Sequence, residues 1–97
     1  MGTAQSNVDA DNDDVRITTW TFPVAGDSTG QHRHEFDYVV VPITGGTFVV
    51  TSVDGSDREM TQVAASPYLG IAGTVHDVAN ASPHEAVFVE IELKTKR

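Results

Sequence analysis

Every apolar stretch in this chain is short, rich in β-branched and aromatic residues, and soon closed by glycine, proline or an Asp-Gly pair. VRITTWTF (15–22), HRHEFDYVVV (32–41), TFVVTSV (47–53), REMTQV (58–63), SPYLGI (66–71), TVHDVAN (74–80) and AVFVEIELK (86–94) follow one another in this way. Where a period is visible it is two, the spacing at which side chains share one face of a strand. No segment carries a helical period. Asp54-Gly55 is a favoured two-residue hairpin turn, and Pro42 with Gly45 and Gly46 ends another strand. An all-β fold follows, an antiparallel sandwich or barrel, and pattern alone does not choose between the two.

A chain of 97 residues makes one domain, near the lower limit for a self-sufficient core. Its first fourteen residues, MGTAQSNVDADNDD, hold few apolar groups and crowd Asp9, Asp11, Asp13 and Asp14 together. They are expected to form a disordered acidic arm, leaving residues 15–97 as the single folded domain. There is no cysteine, which excludes disulfides, thiolate metal sites and cysteine nucleophiles. Fourteen acidic against six basic residues give a formal charge of −8, which argues against nucleic acid or an anionic membrane as partner. No run has the length of a membrane span and no signal-peptide pattern opens the chain, so a cytoplasmic protein is expected.

Four short motifs match by letters and fail by context. GDSTG (26–30) has the spacing of a serine nucleophile elbow, but a strand and not a helix follows it, so it reads as a turn. DADND (9–13) starts like a calcium loop, but Asp14 stands where glycine is required and Trp20 where the closing glutamate belongs. MGTAQS and Asn80-Ala81-Ser82 fit lipidation and glycosylation patterns that are frequent by chance.

The histidines carry more information. Along the HRHEFDYVVV segment, His32, His34, Phe36, Tyr38 and Val40 fall on one face, and Arg33, Glu35 and Asp37 on the other. His76 lies in another predicted strand, while His84 sits beside Pro83 in a turn and reads as an exposed loop residue. One half-buried histidine is usually a hydrogen-bonded core residue. A His-x-His pair with a third strand histidine in so small a chain points to metal ligands.

These residues resemble the two motifs of the small single-domain cupins. Gly26, His32, His34 and Gly45 fall on the first motif, with Tyr38 in the slot of its glutamate. Gly73, His76 and Asn80 fall on the second, with Ala65 and Ile71 replacing a glycine and a proline. HRHEFDYVVVP and VEIELK are also similar to stand-alone cupins associated with β-alanine degradation. The resemblance implies a double-stranded β-helix, a jelly-roll barrel with one divalent metal held inside by histidines.

On that reading His32, His34 and His76 bind one divalent transition metal per chain. The donor set does not choose among iron, zinc, nickel and manganese. Three protein ligands leave positions open for water or a small-molecule ligand, such as a polar or carboxylate metabolite. Tyr38 is then expected at the site as a fourth ligand or a proton donor or acceptor. Two functions fit: a metal-dependent enzyme (a dioxygenase, lyase or isomerase), or a non-catalytic barrel that binds a metabolite or senses a metal. The only inward acid–base groups evident are Tyr38 and the histidines. A homodimer is expected, because Val39, Val41 and Phe88 are read as apolar groups on the outside of the barrel.

Overall fold

Strand alternation resolves into two antiparallel sheets packed face to face. The computed structural model describes residues 2–94, so residues 95–97 of the expected domain lie outside the described residues, as does Met1. The first sheet holds β1 (Gln5–Asp11), β2 (Val15–Phe22), β9 (Ala86–Leu93), β4 (Asp37–Pro42) and β7 (Tyr68–Gly70), in that order. The second holds β3 (His32–Arg33), β8 (Val75–Asn80), β5 (Gly46–Ser52) and β6 (Asp57–Gln62). Among the described residues there is no helix, and so none long and apolar enough to cross a membrane. This is the all-β, double-stranded β-helix architecture.

The core lies between the sheets. Phe22 and Phe88 from the first sheet meet Phe48 from the second, with ring centroids 5.3–5.8 Å apart. All three rings are buried, and edge-on or tilted pairs at this spacing add about 0.5–1.5 kcal/mol each beyond their area. Val40, Val50 and Val78 complete the packing. The β5–β6 hairpin turns at Asp54-Gly55: Gly55 adopts φ +86°, open to glycine at no steric cost. The Asp54 carboxylate accepts from the Ser56 backbone N–H and hydroxyl.

Three expectations are corrected. Residues 1–14 are not an arm without structure: β1 pairs with β2 from Gln5↔Thr21 to Asp11↔Arg16. All seven β1 side chains are exposed, so the strand is held by backbone hydrogen bonds to the edge of β2, to which composition is blind. Polar side chains reinforce it. The Thr19 hydroxyl donates to Asp9, Lys94 pairs with Asp11, and the Asn12 side chain accepts from the backbone of Asp14 and Val15.

The HRHEFDYVVV segment is not one strand. It splits into β3 and β4, which belong to different sheets, and Phe36 lies in the crossing between them, outside the core cluster. Lastly, Phe88 does not face outward. It is 5% exposed and lies in the core, so Val87, Val89 and Ile91 form the outer face of β9, and Glu90 and Glu92 face inward. Both faces of this strand are apolar enough to mislead; the bulkier ring takes the interior because it has more surface to bury.

Candidate metal centre and its cavity

Sheet register assembles the three histidines. His32 on β3 is the cross-strand partner of His76 on β8, and opposed residues of an antiparallel pair project side by side from one face. His34 lies one residue past β3, where its backbone N–H donates to Thr74 and its carbonyl accepts from Gly73. Those two bonds tie it to the loop leading into β8. The Nε2 atoms of His32 and His34 are 3.1 Å apart, and those of His34 and His76 are 3.0 Å apart.

Hydrogen bonding alone cannot satisfy this arrangement. An imidazole nitrogen has one in-plane site, filled by a proton or by a lone pair, so His34 Nε2 cannot serve two imidazole neighbours at once. One cation accepts all three lone pairs. Ligand nitrogens at 2.0–2.1 Å from an ion, at right angles to one another, stand about 3.0 Å apart, which matches the His32–His34 and His34–His76 spacings, and all three ligand atoms lie within 4.8 Å of one another. The His32 Nδ1 lies 2.9 Å from the Gly30 carbonyl, a bond that puts the ring proton on Nδ1 and leaves the Nε2 lone pair for a metal. Burial, followed by the neighbouring His32 and His76, pushes His34 down to about 4; burial, then His32 and Arg58, does the same to His76. Both are therefore neutral donors at pH 7. The cluster is able to hold a metal ion.

The triad opens into a cavity of about 340 Å³, within the usual range for a small-molecule site. Tyr38 lines it, and its ring stacks on His34 with centroids 3.9 Å apart at 18°. The far end of the ring lies over Gly70, its partner across β4 and β7; a Cβ there would stand 2.0 Å from the ring. Only glycine permits that approach. Burial, then the nearby Glu90, raises the Tyr38 phenol to about 12, so it stays protonated. His84 is exposed and apart from the cluster, with Nδ1 against the Glu85 carbonyl. Asn80 is buried as a brace, its amide donating to the Phe22 and His84 carbonyls.

No family model matches the chain. The β-alanine degradation protein BauB of Pseudomonas aeruginosa is 48% identical over 91 residues, covering 94% of each chain. A solved cupin domain from Bordetella pertussis superposes with a TM-score of 0.91 at 40% identity, covering 97% of this chain and 96% of that one. The chain belongs to the cupin family. A Klebsiella pneumoniae protein with a double-stranded β-helix domain shares the fold alone, at a TM-score of 0.77 and 19% identity over 96% of this chain and 78% of that one.

The cupin cavity holds a group that the sequence reading missed. Glu90 on β9 lines it beside Trp20, Tyr68 and Phe88, while Arg58 on β6 stands exposed at its edge. Burial, then the like charge of Glu92, raises the Glu90 carboxyl to about 7. Glu92 is held differently: Arg16 grips both its oxygens at 2.6 and 2.8 Å. The signal that finds Glu90 is pairing with β2. Trp20 and Phe22 set the inner face there, and their partners Phe88 and Ala86 fix the parity of β9.

Proposed function

We propose that this cupin binds one divalent transition metal through His32, His34 and His76, and that it acts on a small carboxylate metabolite of β-alanine breakdown. The observation that carries this reading is the convergence of three imidazole Nε2 atoms at the wall of one cavity. The breakdown route is suggested by the name of the 48% identical relative. When bound, the ion supplies a Lewis acid for an anionic oxygen. The chain's own residues do the rest. Tyr38, protonated and stacked on His34, donates its hydroxyl proton in a hydrogen bond to the bound ligand. Trp20, Val50, Met60 and Phe88 give the cavity its apolar walls.

Elemental analysis of protein purified without a histidine tag tests this. About one ion per chain is expected, and metal-dependent binding of small carboxylates with it. A metal content near zero after growth and purification in each of iron, zinc, nickel and manganese would overturn it.

We also infer that two copies pair through the outer face of the first sheet. Cross-strand register lays Ile17, Ile91, Val39 and Leu69 in one row and Val89 and Val41 in the next. Leu69 is 76% exposed, and a continuous apolar row of this kind is covered most simply by its own two-fold copy. Sedimentation at micromolar concentration should give a dimer, and Ile91→Glu a monomer. A wild-type monomer would sink this inference.

A further inference from the structure

Two carboxylates project inward from β9, and they differ in one respect. Glu92 is matched inside the protein by the bidentate Arg16 guanidinium. Glu90, two residues earlier, makes no hydrogen bond or ion pair among the described residues. It is half-buried in the cavity wall, between Thr18 of β2 and Val40 of β4. The cation that lines the same cavity, Arg58, is exposed on β6 in the opposite sheet and forms no ion pair with it. A carboxylate removed from water without a partner is costly. That cost explains why its acidity is weakened to about 7.

The surroundings of Glu90 narrow what can complete it. Trp20 and Phe88 are cross-strand partners beside it, and Tyr68 lines the same part of the cavity. Aromatic walls with a carboxylate attract an organic cation through the ring quadrupole and direct charge pairing. Tyr38 lines the cavity together with this group and the histidines. It stacks on His34, and on β4 it is diagonal to Glu90, because its own β9 partner is Glu92. Diagonal positions on one sheet face are about 7–8 Å apart. The histidines, Tyr38 and Glu90 all line the one cavity of about 340 Å³, so a small molecule seated there shares its space with both the histidine centre and Glu90.

We propose that Glu90, with the aromatic wall of Trp20 and Tyr68, is an ammonium subsite, so that the ligand of this cavity is a small amino carboxylate and not a simple carboxylate. This rests on the metal reading above: the carboxylate end is taken at the histidine centre, and the ammonium end at Glu90. A bound ammonium restores the ionised form of Glu90 and supplies the partner that the protein withholds. The spare volume of the cavity accommodates water around so short a ligand.

Calorimetric titration of the metal-loaded protein with β-alanine and with propionate tests the subsite. The two share a three-carbon carboxylate and differ in the ammonium. Wild type should bind β-alanine at least tenfold more tightly than propionate. Glu90→Gln should bring the two affinities to within about twofold while leaving metal content and propionate binding unchanged. Equal wild-type affinities, or an intact preference in Glu90→Gln, would overturn the subsite. Loss of metal from Glu90→Gln would also overturn it, because Glu90 would then be a ligand. Binding of neither compound by a wild-type protein that carries no metal defeats the metal reading itself. Propionate binding with no ammonium preference defeats the subsite alone. The wild-type comparison stands whether or not the variant folds.

Discussion

The cavity has two unlike walls. The four-stranded sheet presents three imidazoles, two of them, His34 and His76, held neutral by burial, whose Nε2 atoms face one another with no other side chain among the described residues to receive them. The five-stranded sheet presents aromatic rings and one carboxylate, Glu90, which has no hydrogen bond or ion pair among the described residues, whereas Glu92 two residues on is matched by Arg16. Each wall is thus incomplete in the opposite sense: one lacks a cation for lone pairs, the other a cation for a charge. A metal ion suits the first, because three imidazole nitrogens converge there and imidazole suits divalent transition metals. An organic ammonium suits the second, because a lone carboxylate among rings offers charge without a coordination shell. Two different positive groups at two ends of one cavity are what a metal-held amino carboxylate supplies.

The comparison depends first on the parity of β9, and Phe88 is where it breaks most visibly. Phe88→Ala should cost about 3–5 kcal/mol in urea unfolding, as truncation of a buried aromatic does. Val89→Ala, one residue away on the outer face, should cost about 1 kcal/mol or less in the monomer. Similar losses at both positions would mean that Glu90 does not face the cavity. On the other wall, His34→Ala or His76→Ala should lower metal affinity by more than about 100-fold, beyond the loss typical of a residue that merely orients a ligand. His84→Ala should retain the full complement. Equal loss from all three, read by elemental analysis, would dissolve the histidine wall as a metal centre.

The two walls were also unequally legible. The histidine wall could be read from spacing, because His-x-His keeps both rings on one face through the short β3 strand, and a cross-strand pair needs only one histidine on β8. The carboxylate wall could not. VFVEIEL has apolar residues on both parities, since the outer face of the first sheet is itself apolar, and alternation does not say which face is in. Long-range pairing decides it, through Trp20↔Phe88 and Phe22↔Ala86. The same limit hid β1, a strand with no buried side chain, and the switch of sheet between His34 and Asp37. Strand existence, turns and the Asp54-Gly55 hairpin are local properties and were readable. Which sheet a strand joins is not local.

Acid titration sharpens the contrast, because the two walls have linkage of opposite sign. In the metal-free protein His34 and His76 titrate near 4 when folded and near the ordinary 6.5 when unfolded. The unfolded chain therefore binds more protons between about pH 4 and 6.5, and their contribution to stability is lost as pH falls through that window. Glu90 titrates near 7 folded against 4.5 unfolded. Its contribution is fully present below about pH 4.5 and is lost as pH rises through 7. Glu90→Gln should therefore be more stable than wild type at pH 8, by about 1–2 kcal/mol once solvent screening is allowed for. It should then lose stability more steeply between pH 7 and 4.5. Urea unfolding of chelator-treated protein across this range measures both, and parallel curves would show that Glu90 is solvated like any surface carboxyl.

The smallest effect expected is at the residue that joins the walls. Tyr38 takes the slot of the glutamate in the first cupin motif, yet its ring lies flat on His34 and over Gly70. A phenol held at about 12 stays protonated at neutral pH and acts as a hydrogen-bond donor. Tyr38→Phe keeps the ring, and with it the stack on His34 and the contact with Gly70. Metal content should be unchanged. Affinity for β-alanine and propionate should fall alike, by about 5–10-fold, the worth of one hydrogen bond of roughly 1 kcal/mol. Loss of metal would instead make Tyr38 a ligand, and unchanged affinity would reduce it to a packing residue. If this hydroxyl serves the carboxylate end, as proposed, its removal should not alter the preference between the two compounds. A change in that preference would mean that Tyr38, and not Glu90 alone, reads the ammonium.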